Sequence, residues 1–422
     1  MLIRTELWSD KEFYKDFYYE DYRDRTAPRT FVNVTHTEDT HIASATVRPN
    51  PHGFVRDTER LPEATWHWLD HRIAENLYFS FDTIAGYNER RHGPEAARWV
   101  NVGRLTYDIN IDEALNLTPF YEMDVTLYSE DANGDSADAR FANTVGATLQ
   151  SRLHKEYPGI WNFSGFKHVV LPSVTVSYRP EPTMGVVETP RFDAYDDAYG
   201  RGRIETKVDN IIYGRDAETD EVWQVARLTL YQGNDFWNEI SESKDYEAEI
   251  DVRPRGWWGW LMAAEHHGVD DEIQLDDPYF VQRSVLRFAD DVLGIRPSDD
   301  LIYRYDPRYG SYDRLLTYVY YDGSALDKNL NAHIGLAYTE TQGRVYNREV
   351  LYGLGYKLGE KWGVAFEHRY DFERNELSQQ KYEIRRNLHC WEAALLFQER
   401  NEGWDIGVSF NIVAFPGTKL KF

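Results

Sequence analysis

Residues 330–339, LNAHIGLAYT, alternate between apolar side chains and polar or small ones with a period of two. The same period recurs in residues 405–412, DIGVSFNI, and in residues 170–178, VLPSVTVSY. A period of two places successive side chains on opposite faces of a β-strand, whereas an amphipathic helix needs a period near 3.6. These stretches therefore predict strands that have one apolar face and one polar face.

Turn-forming sequences separate such runs along the whole chain, as in residues 132–135 (ANGD), 322–324 (DGS) and 358–361 (LGEK). We count roughly twenty strand candidates, many about 9–12 residues long, which is near the length of a tilted membrane strand. Strands of soluble proteins average only about 5–6 residues. The sequence predicts an all-β fold, a large antiparallel sheet without a helical domain, that occupies residues 1–422 as one domain.

The composition excludes two classes of protein. The chain has 422 residues, a mean hydropathy of −0.64 and 28% charged residues, and its richest apolar window is the short run 256–264, GWWGWLMAA. A membrane-spanning helix needs about 20 apolar residues, so a helical membrane protein is excluded. The net charge of −24 argues against a nucleic-acid-binding protein, because phosphate binding depends on clusters of Lys and Arg.

Alternation alone also fits a soluble β-sandwich, which has one apolar face as well. Three features favour a transmembrane β-barrel. Apolar faces often end in Tyr or Trp, as membrane-interface girdles do. Polar faces carry charge in the middle of strands, at Asp108, Glu122 and Glu367, which suits a wet lumen. The chain ends at Phe422, and a terminal aromatic is typical of strands delivered to the barrel-assembly machinery. We predict an outer-membrane barrel of a Gram-negative-type cell envelope.

Four segments carry a family resemblance. Residues 2–22 join a strand to an aromatic, acidic loop, and residues 31–49 form a predicted hairpin. Residues 166–236 contain a strand with an internal Pro, an Asp-rich loop and a strand ending in Gln-Gly. Residues 381–412 contain His389-Cys390-Trp391. In this order the segments resemble the C-terminal barrel of the lipopolysaccharide-assembly outer-membrane protein family (LptD/OstA).

The resemblance implies a translocon, not an enzyme, without a cofactor. Such a protein inserts lipopolysaccharide into the outer leaflet through a lateral gate between its first and last strands. The implied partners are lipopolysaccharide, an LptE-like plug lipoprotein and the periplasmic lipopolysaccharide bridge proteins. The implied gate strand comprises Trp404, Asp405, Ile406, Gly407, Val408, Ser409, Phe410, Asn411 and Ile412.

Two departures from the family lead to further expectations. The family's periplasmic jelly-roll and its first barrel strands have no counterpart here, so we expect a barrel that is truncated at its N-terminus and incomplete. Cys390 is the only cysteine, which leaves two alternatives. It forms an interdomain disulfide with a cysteine outside this chain, or it is a free thiol in a periplasmic turn, which is unusual in an oxidising compartment.

Three polar clusters are candidate binding sites. Asp193, Asp196 and Asp197 resemble the family's acidic extracellular loop, which either holds divalent ions that bridge lipid phosphates or is simply solvated. Residues 131–138, DANGDSAD, begin like a calcium loop but lack its terminal Glu, and Asn-Gly favours a plain hairpin turn. Residues 265–272, EHHGVDDE, are predicted to form a loop rather than a metal site. We therefore predict no metal-binding, cofactor-binding or catalytic residue.

Other functions compete with lipopolysaccharide transport. A porin or substrate-specific channel requires a strand set that closes and a constriction loop with opposed charges. An outer-membrane phospholipase requires a Ser–His pair on the barrel wall, for which the strand histidines His333, His368 and His389 are candidates. A soluble binding protein is favoured by the hydropathy alone.

Overall fold

The computed structural model describes all residues except 11–29, 53–57, 91–92, 135, 187, 198, 240–241, 256–257, 270–311, 322–326, 342–343, 389–390, 401–402, 413–419 and 422. Strands dominate the described residues, and one 3-10 helix of four residues, Ala194–Asp197, interrupts them.

The strands form one sheet, and many of them are longer than the sequence predicts, reaching 17 residues. In chain order they are β1 (Leu2–Arg4), β2 (Phe31–Thr37), β3 (His41–Arg48), β4 (Thr58–Ala74), β5 (Leu77–Arg90), β6 (Glu95–Tyr107), β7 (Ile109–Asn110), β8 (Leu115–Glu130), β9 (Ser136–Ser151), β10 (Leu153–Pro158), β11 (Phe163–Arg179), β12 (Arg201–Asp216), β13 (Val222–Asn238), β14 (Ser243–Arg255), β15 (Trp258–Val269), β16 (Tyr312–Tyr321), β17 (Leu330–Thr341), β18 (Arg344–Leu358), β19 (Trp362–Asp371), β20 (Glu376–Asn387), β21 (Trp391–Arg400), β22 (Gly403–Ile412) and β23 (Leu420–Lys421).

The described pairings are all antiparallel and follow the order of the chain. The short strand β7 continues β6 alongside β8, and β10 continues β9 alongside β11. Each strand therefore returns next to the strand before it, as in an up-and-down barrel. The predicted all-β antiparallel fold is confirmed.

The two faces of the sheet have opposite chemistry, which β8 illustrates. Its side chains Tyr121, Met123 and Leu127 are exposed on the outer face. Asp124 and Thr126 alternate with them and are buried, with exposures of 6% and 0%. A soluble protein buries its apolar side chains and exposes its charges. The reverse arrangement suits a wall with lipid outside and a polar lumen inside, so the chain is an outer-membrane β-barrel.

The connections at the two ends of the barrel differ in length. The end that carries the connections 38–40, 75–76, 159–162 and 359–361 has short turns. The opposite end carries the long connections 49–57, 180–200 and 270–311. Outer-membrane barrels have short periplasmic turns and longer extracellular loops, so the long connections mark the extracellular mouth. Among the described residues, no helix has the length and the hydropathy to span a membrane.

A close approach between β4 and β5 gives the first prediction. A Cβ added at Gly86 would lie 2.6 Å from the carbonyl oxygen of Pro62 and 2.9 Å from Cα of Glu63, and backbone atoms cannot rotate away. We expect Gly86→Ala to reduce the free energy of unfolding by about 1–3 kcal/mol, which is typical of overpacking.

The measurement is the temperature at which the folded band converts to the unfolded band on a gel. Gly103→Ala is the matched control, because its added Cβ would lie 3.6 Å from the Phe79 ring, an ordinary contact. Equal midpoints for the two variants would contradict the prediction.

Candidate functional site in the barrel lumen

Residues 180–200, called here the inner segment, connect β11 to β12 and fold against the inner wall of the barrel. Their contacts are not with β11 and β12 alone. The backbone N–H of Thr183 donates to the carbonyl of Phe141 on β9, and the hydroxyl of Thr58 on β4 donates to the carbonyl of Phe192. Five strand-to-strand steps separate β11 from β4 in the sheet, which corresponds to about 24 Å at the usual strand spacing. The inner segment therefore runs along the inside of the extracellular mouth.

Arg98 on β6 anchors the inner segment through two carboxylates. Its Nη1 and Nη2 donate to the two oxygens of Asp193 at 2.9 and 2.7 Å, and Nη1 also donates to Asp196 at 2.6 Å. The Arg98 side chain has no exposed surface, and that of Asp196 has none either. Arg60 adds a fourth contact, 3.5 Å from Asp193. A buried guanidinium in a two-pronged bond is the strongest kind of side-chain hydrogen bond in proteins.

Further bonds fix Asp196 and the turn that carries it. The Tyr128 hydroxyl on β8 donates to Asp196 at 2.7 Å, and the backbone N–H of Phe192 donates to the same carboxylate at 2.8 Å. Arg140 on β9 donates to the carbonyl of Tyr195 at 2.6 Å and to Asp124 at 3.0 Å. Three adjacent strands of the wall, β6, β8 and β9, thus hold one turn of the inner segment.

The two anchored carboxylates respond to burial in opposite directions. Burial alone would raise the pKa of Asp193, but the hydrogen bonds and charge of Arg98, together with the charge of Arg60, lower it. Burial raises the pKa of Asp196, and the charge of Arg98 only partly opposes this rise. At a pH above the ordinary pKa of an aspartate, ionised Asp193 therefore stabilises docking of the inner segment on the wall, and this contribution is lost as the pH falls. Asp196 favours docking more as it becomes protonated.

A second charged cluster lies on the inner wall beside the inner segment. Arg203 on β12 is 4% exposed and donates to Asp235 on β13 at 2.9 Å and to the Tyr231 hydroxyl at 3.0 Å. It also pairs with Asp245 on β14, which in turn bonds His267 on β15. Four neighbouring strands are thereby joined across the lumen face.

Below that cluster, β14 carries acidic side chains at four consecutive inward positions: Asp245, Glu247, Glu249 and Asp251. We call these four residues the acidic stripe. The side chains of these four residues point inward because they alternate along β14 with outward residues: Tyr246 is exposed on the outer face, whereas Asp245 is buried. Arg253 continues the same face and donates to Asp251 at 2.8 Å. On β15, Glu265 pairs in register with Glu247 and is also buried, 3.5 Å from Arg314.

The structure places the predicted acidic residues in the inner segment. Asp193 and Asp196 do not extend into solvent but bind arginines of the inner wall, so these carboxylates are already neutralised. Asp197 lies in the 3-10 helix of the same segment. The predicted gate residues Trp404–Ile412 lie in β22, which pairs with β21 along its length and with β23 at Ser409 and Phe410. Their role in a gate stays a prediction, and within the described part of the chain no pairing joins the first strands to the last.

The structure describes some of the other predicted positions and not others. Cys390 and His389 lie outside the described residues, as does the loop part of residues 2–22 from position 11 onward. Residues 131–134 of the DANGDSAD stretch lie in the β8–β9 hairpin turn, with Gly134 at φ +81°, and residues 136–138 begin β9. His333 lies 3.4 Å from Glu367, and His368 contacts the hydroxyls of Tyr352 and Tyr382, so the contacts found at these two histidines are with acidic and phenolic groups.

The prediction that residues 265–272 form a loop was wrong for residues 265–269, which belong to β15, and residues 270–272 lie outside the described residues. Glu265, His266 and His267 belong to β15, with Glu265 and His267 buried inside and His266 exposed outside, bonded to Asp313. Because both faces of this stretch carry polar side chains, its sequence lacks the alternation of apolar and polar residues that predicts a strand. The arginines Arg98, Arg140 and Arg203 were also missed, although each directly follows and precedes an apolar or small residue in a strand, which places the arginine on the opposite, polar face and is the signal that could have found them.

The comparisons with known proteins give weak likenesses. No family model and no curated protein matches the sequence. Among solved structures, the siderophore receptor PirA from Pseudomonas aeruginosa matches with a TM-score of 0.36 and 7% identity, covering 93% of this chain and 76% of that one. PirA from Acinetobacter baumannii matches with a TM-score of 0.35 and 8% identity, covering 92% of this chain and 71% of that one. The copper transporter OprC matches with a TM-score of 0.29 and 9% identity, covering 93% of this chain and 72% of that one.

These findings contradict the resemblance to the lipopolysaccharide-assembly family. The matched structures bear other names: a copper transporter, siderophore receptors and a ferric citrate transporter. The implied partners, lipopolysaccharide, a plug lipoprotein and periplasmic bridge proteins, were wrong for the same reason. The resemblance rested on strands, hairpins and an acidic loop, and alternating strands joined by turns are common to outer-membrane barrels in general.

Proposed function

We propose that the protein is a substrate-selective outer-membrane channel whose lumen prefers cationic solutes. The observation that carries the proposal is the inner segment, which lies inside the extracellular mouth and is held there by buried ion pairs with Arg98. A porin or specific channel needs such a constriction.

The preference for cations follows from the charge of the inner wall. The acidic stripe presents carboxylates at four consecutive inward positions of β14: arginines bind the outer two, Asp245 and Asp251, and the inner two are Glu247 and Glu249. Rings or rows of Asp and Glu favour cations in channels, because the low-dielectric wall strengthens their field. The net charge of −24 on the whole chain has the same sign.

The experiment is electrical recording from the purified protein in planar lipid bilayers. We expect a conductance, and under a KCl gradient we expect a reversal potential whose sign reports that K⁺ permeates better than Cl⁻. Two results would contradict the proposal. One is a reversal potential of anionic sign, and the other is a bilayer conductance at the protein-free level for both the wild type and Arg98→Ala.

A further inference from the structure

The β2–β3 hairpin carries three metal-ligating side chains outside the lumen: His36, Glu38 and His41. Nε2 of His36 lies 3.0 Å from one carboxylate oxygen of Glu38, and Nδ1 of His41 lies 3.9 Å from the other. One ligand atom from each of the three residues lies within 4.8 Å of the other two. The three side chains therefore converge on a single point.

The backbone fixes this convergence. The N–H of Glu38 donates to the carbonyl of His41 at 2.9 Å and closes the turn, and Thr37 pairs in register with Ile42 just behind it. The His41 ring also meets the Trp66 ring edge to face, at 6.3 Å between centroids and 79° between planes. Because the sheet register and an aromatic neighbour position the ligands, binding of an ion orders little additional chain.

The spacing suits a small divalent ion. Zinc binds His nitrogen at about 2.0–2.1 Å and carboxylate oxygen at about 2.0–2.2 Å in tetrahedral geometry, which puts neighbouring ligand atoms about 3.4 Å apart. The 3.0 and 3.9 Å separations involve the two different oxygens of Glu38, and one ligand atom from each residue lies within 4.8 Å of the other two, so small side-chain rotations bring the three donors to that spacing. The Thr40 hydroxyl lies 3.3 Å from Nδ1 of His41 and has to turn aside when an ion binds.

We propose that this hairpin binds one divalent transition-metal ion of the Zn²⁺ or Cu²⁺ class. Two imidazoles and one carboxylate select these ions over Ca²⁺ and Mg²⁺, which require oxygen ligands. The side chains of His36 and Glu38 are 66% and 56% exposed, so water completes the coordination. The site lies at the short-turn end of the barrel and on the outer face, next to Trp66, and it does not depend on the function proposed for the lumen.

The test is calorimetric titration of Zn²⁺ into the full-length protein in detergent, purified without a histidine tag. We expect one Zn²⁺ per chain in the presence of excess Mg²⁺. His36→Ala and His41→Ala should each raise the Kd at least about tenfold, since even changes beyond the ligands weaken metal binding about 10–100-fold. Glu38→Gln, which removes the charge and retains one oxygen, should weaken binding as well.

His154→Ala is the matched control, because His154 is an exposed histidine on β10, far along the sheet from this hairpin. Its Zn²⁺ affinity should equal that of the wild type. Retention of wild-type affinity by the His36→Ala/His41→Ala double variant would overturn the proposal, and so would a wild type that binds no stoichiometric Zn²⁺. In the second case the three residues form a surface ion pair only. The heat-modifiable gel band verifies that each variant is folded.

Discussion

Replacing Arg98 with Ala should release the inner segment and increase the single-channel conductance several-fold. The substitution removes all three hydrogen bonds that join this guanidinium to Asp193 and Asp196. Asp196 is then left buried with only neutral donors from Tyr128 and the backbone. Removing one partner of a buried ion pair costs about 3–5 kcal/mol, which is a factor of at least about 100 in the docking equilibrium.

The matched control for this prediction is Arg104→Ala. Arg104 stands on the same strand and the same lumen face, 3.5 Å from Glu122 and over the Phe120 ring, and its contacts are with β8 rather than the inner segment. The Arg104→Ala substitution removes the same positive charge as Arg98→Ala, so an effect of charge alone would change the conductance of both variants equally. If Arg98→Ala conducts like the wild type, the inner segment does not narrow the pathway. Limited proteolysis within residues 180–200 should also become faster in Arg98→Ala alone.

Local pattern was sufficient to predict the wall of the barrel. In β11 the exposed positions Val174, Val176 and Tyr178 are the ones that share the predicted apolar face. Asn133-Gly134 forms a hairpin turn as its sequence predicts, because Gly adopts the positive φ there without strain. Strand period and turn chemistry act over a few residues, and both can therefore be read from sequence.

The inner segment could not be predicted in the same way. The bond that defines it joins Arg98 to Asp193, which are 95 residues apart in the chain. Nothing in the acidic loop distinguishes carboxylates that will face solvent from carboxylates that a distant arginine will bury. The pairing of Arg203 with Asp245 is equally non-local, since it crosses from β12 to β14. Contacts of this kind depend on which strands become neighbours, and only the folded sheet determines that.

The second large effect is expected from the acidic stripe. Glu247→Gln combined with Glu249→Gln keeps the size of both side chains and removes two of its four charges. These two residues occupy the middle of the stripe, between Asp245, which Arg203 binds, and Asp251, which Arg253 binds. Their loss should reduce the permeability ratio of K⁺ to Cl⁻ about twofold or more, because the potential in a narrow charged lumen depends steeply on the fixed charge.

Glu218→Gln combined with Glu360→Gln is the matched control. Both residues are exposed in short turns at the opposite end of the barrel, so the variant loses the same net charge outside the lumen. Its permeability ratio should remain that of the wild type. Equal shifts in the two double variants would mean that the total charge of the protein, and not the acidic stripe, sets the selectivity. A shift confined to the stripe variant places the cation pathway along β14, because only charges close to the permeating ion escape screening by salt.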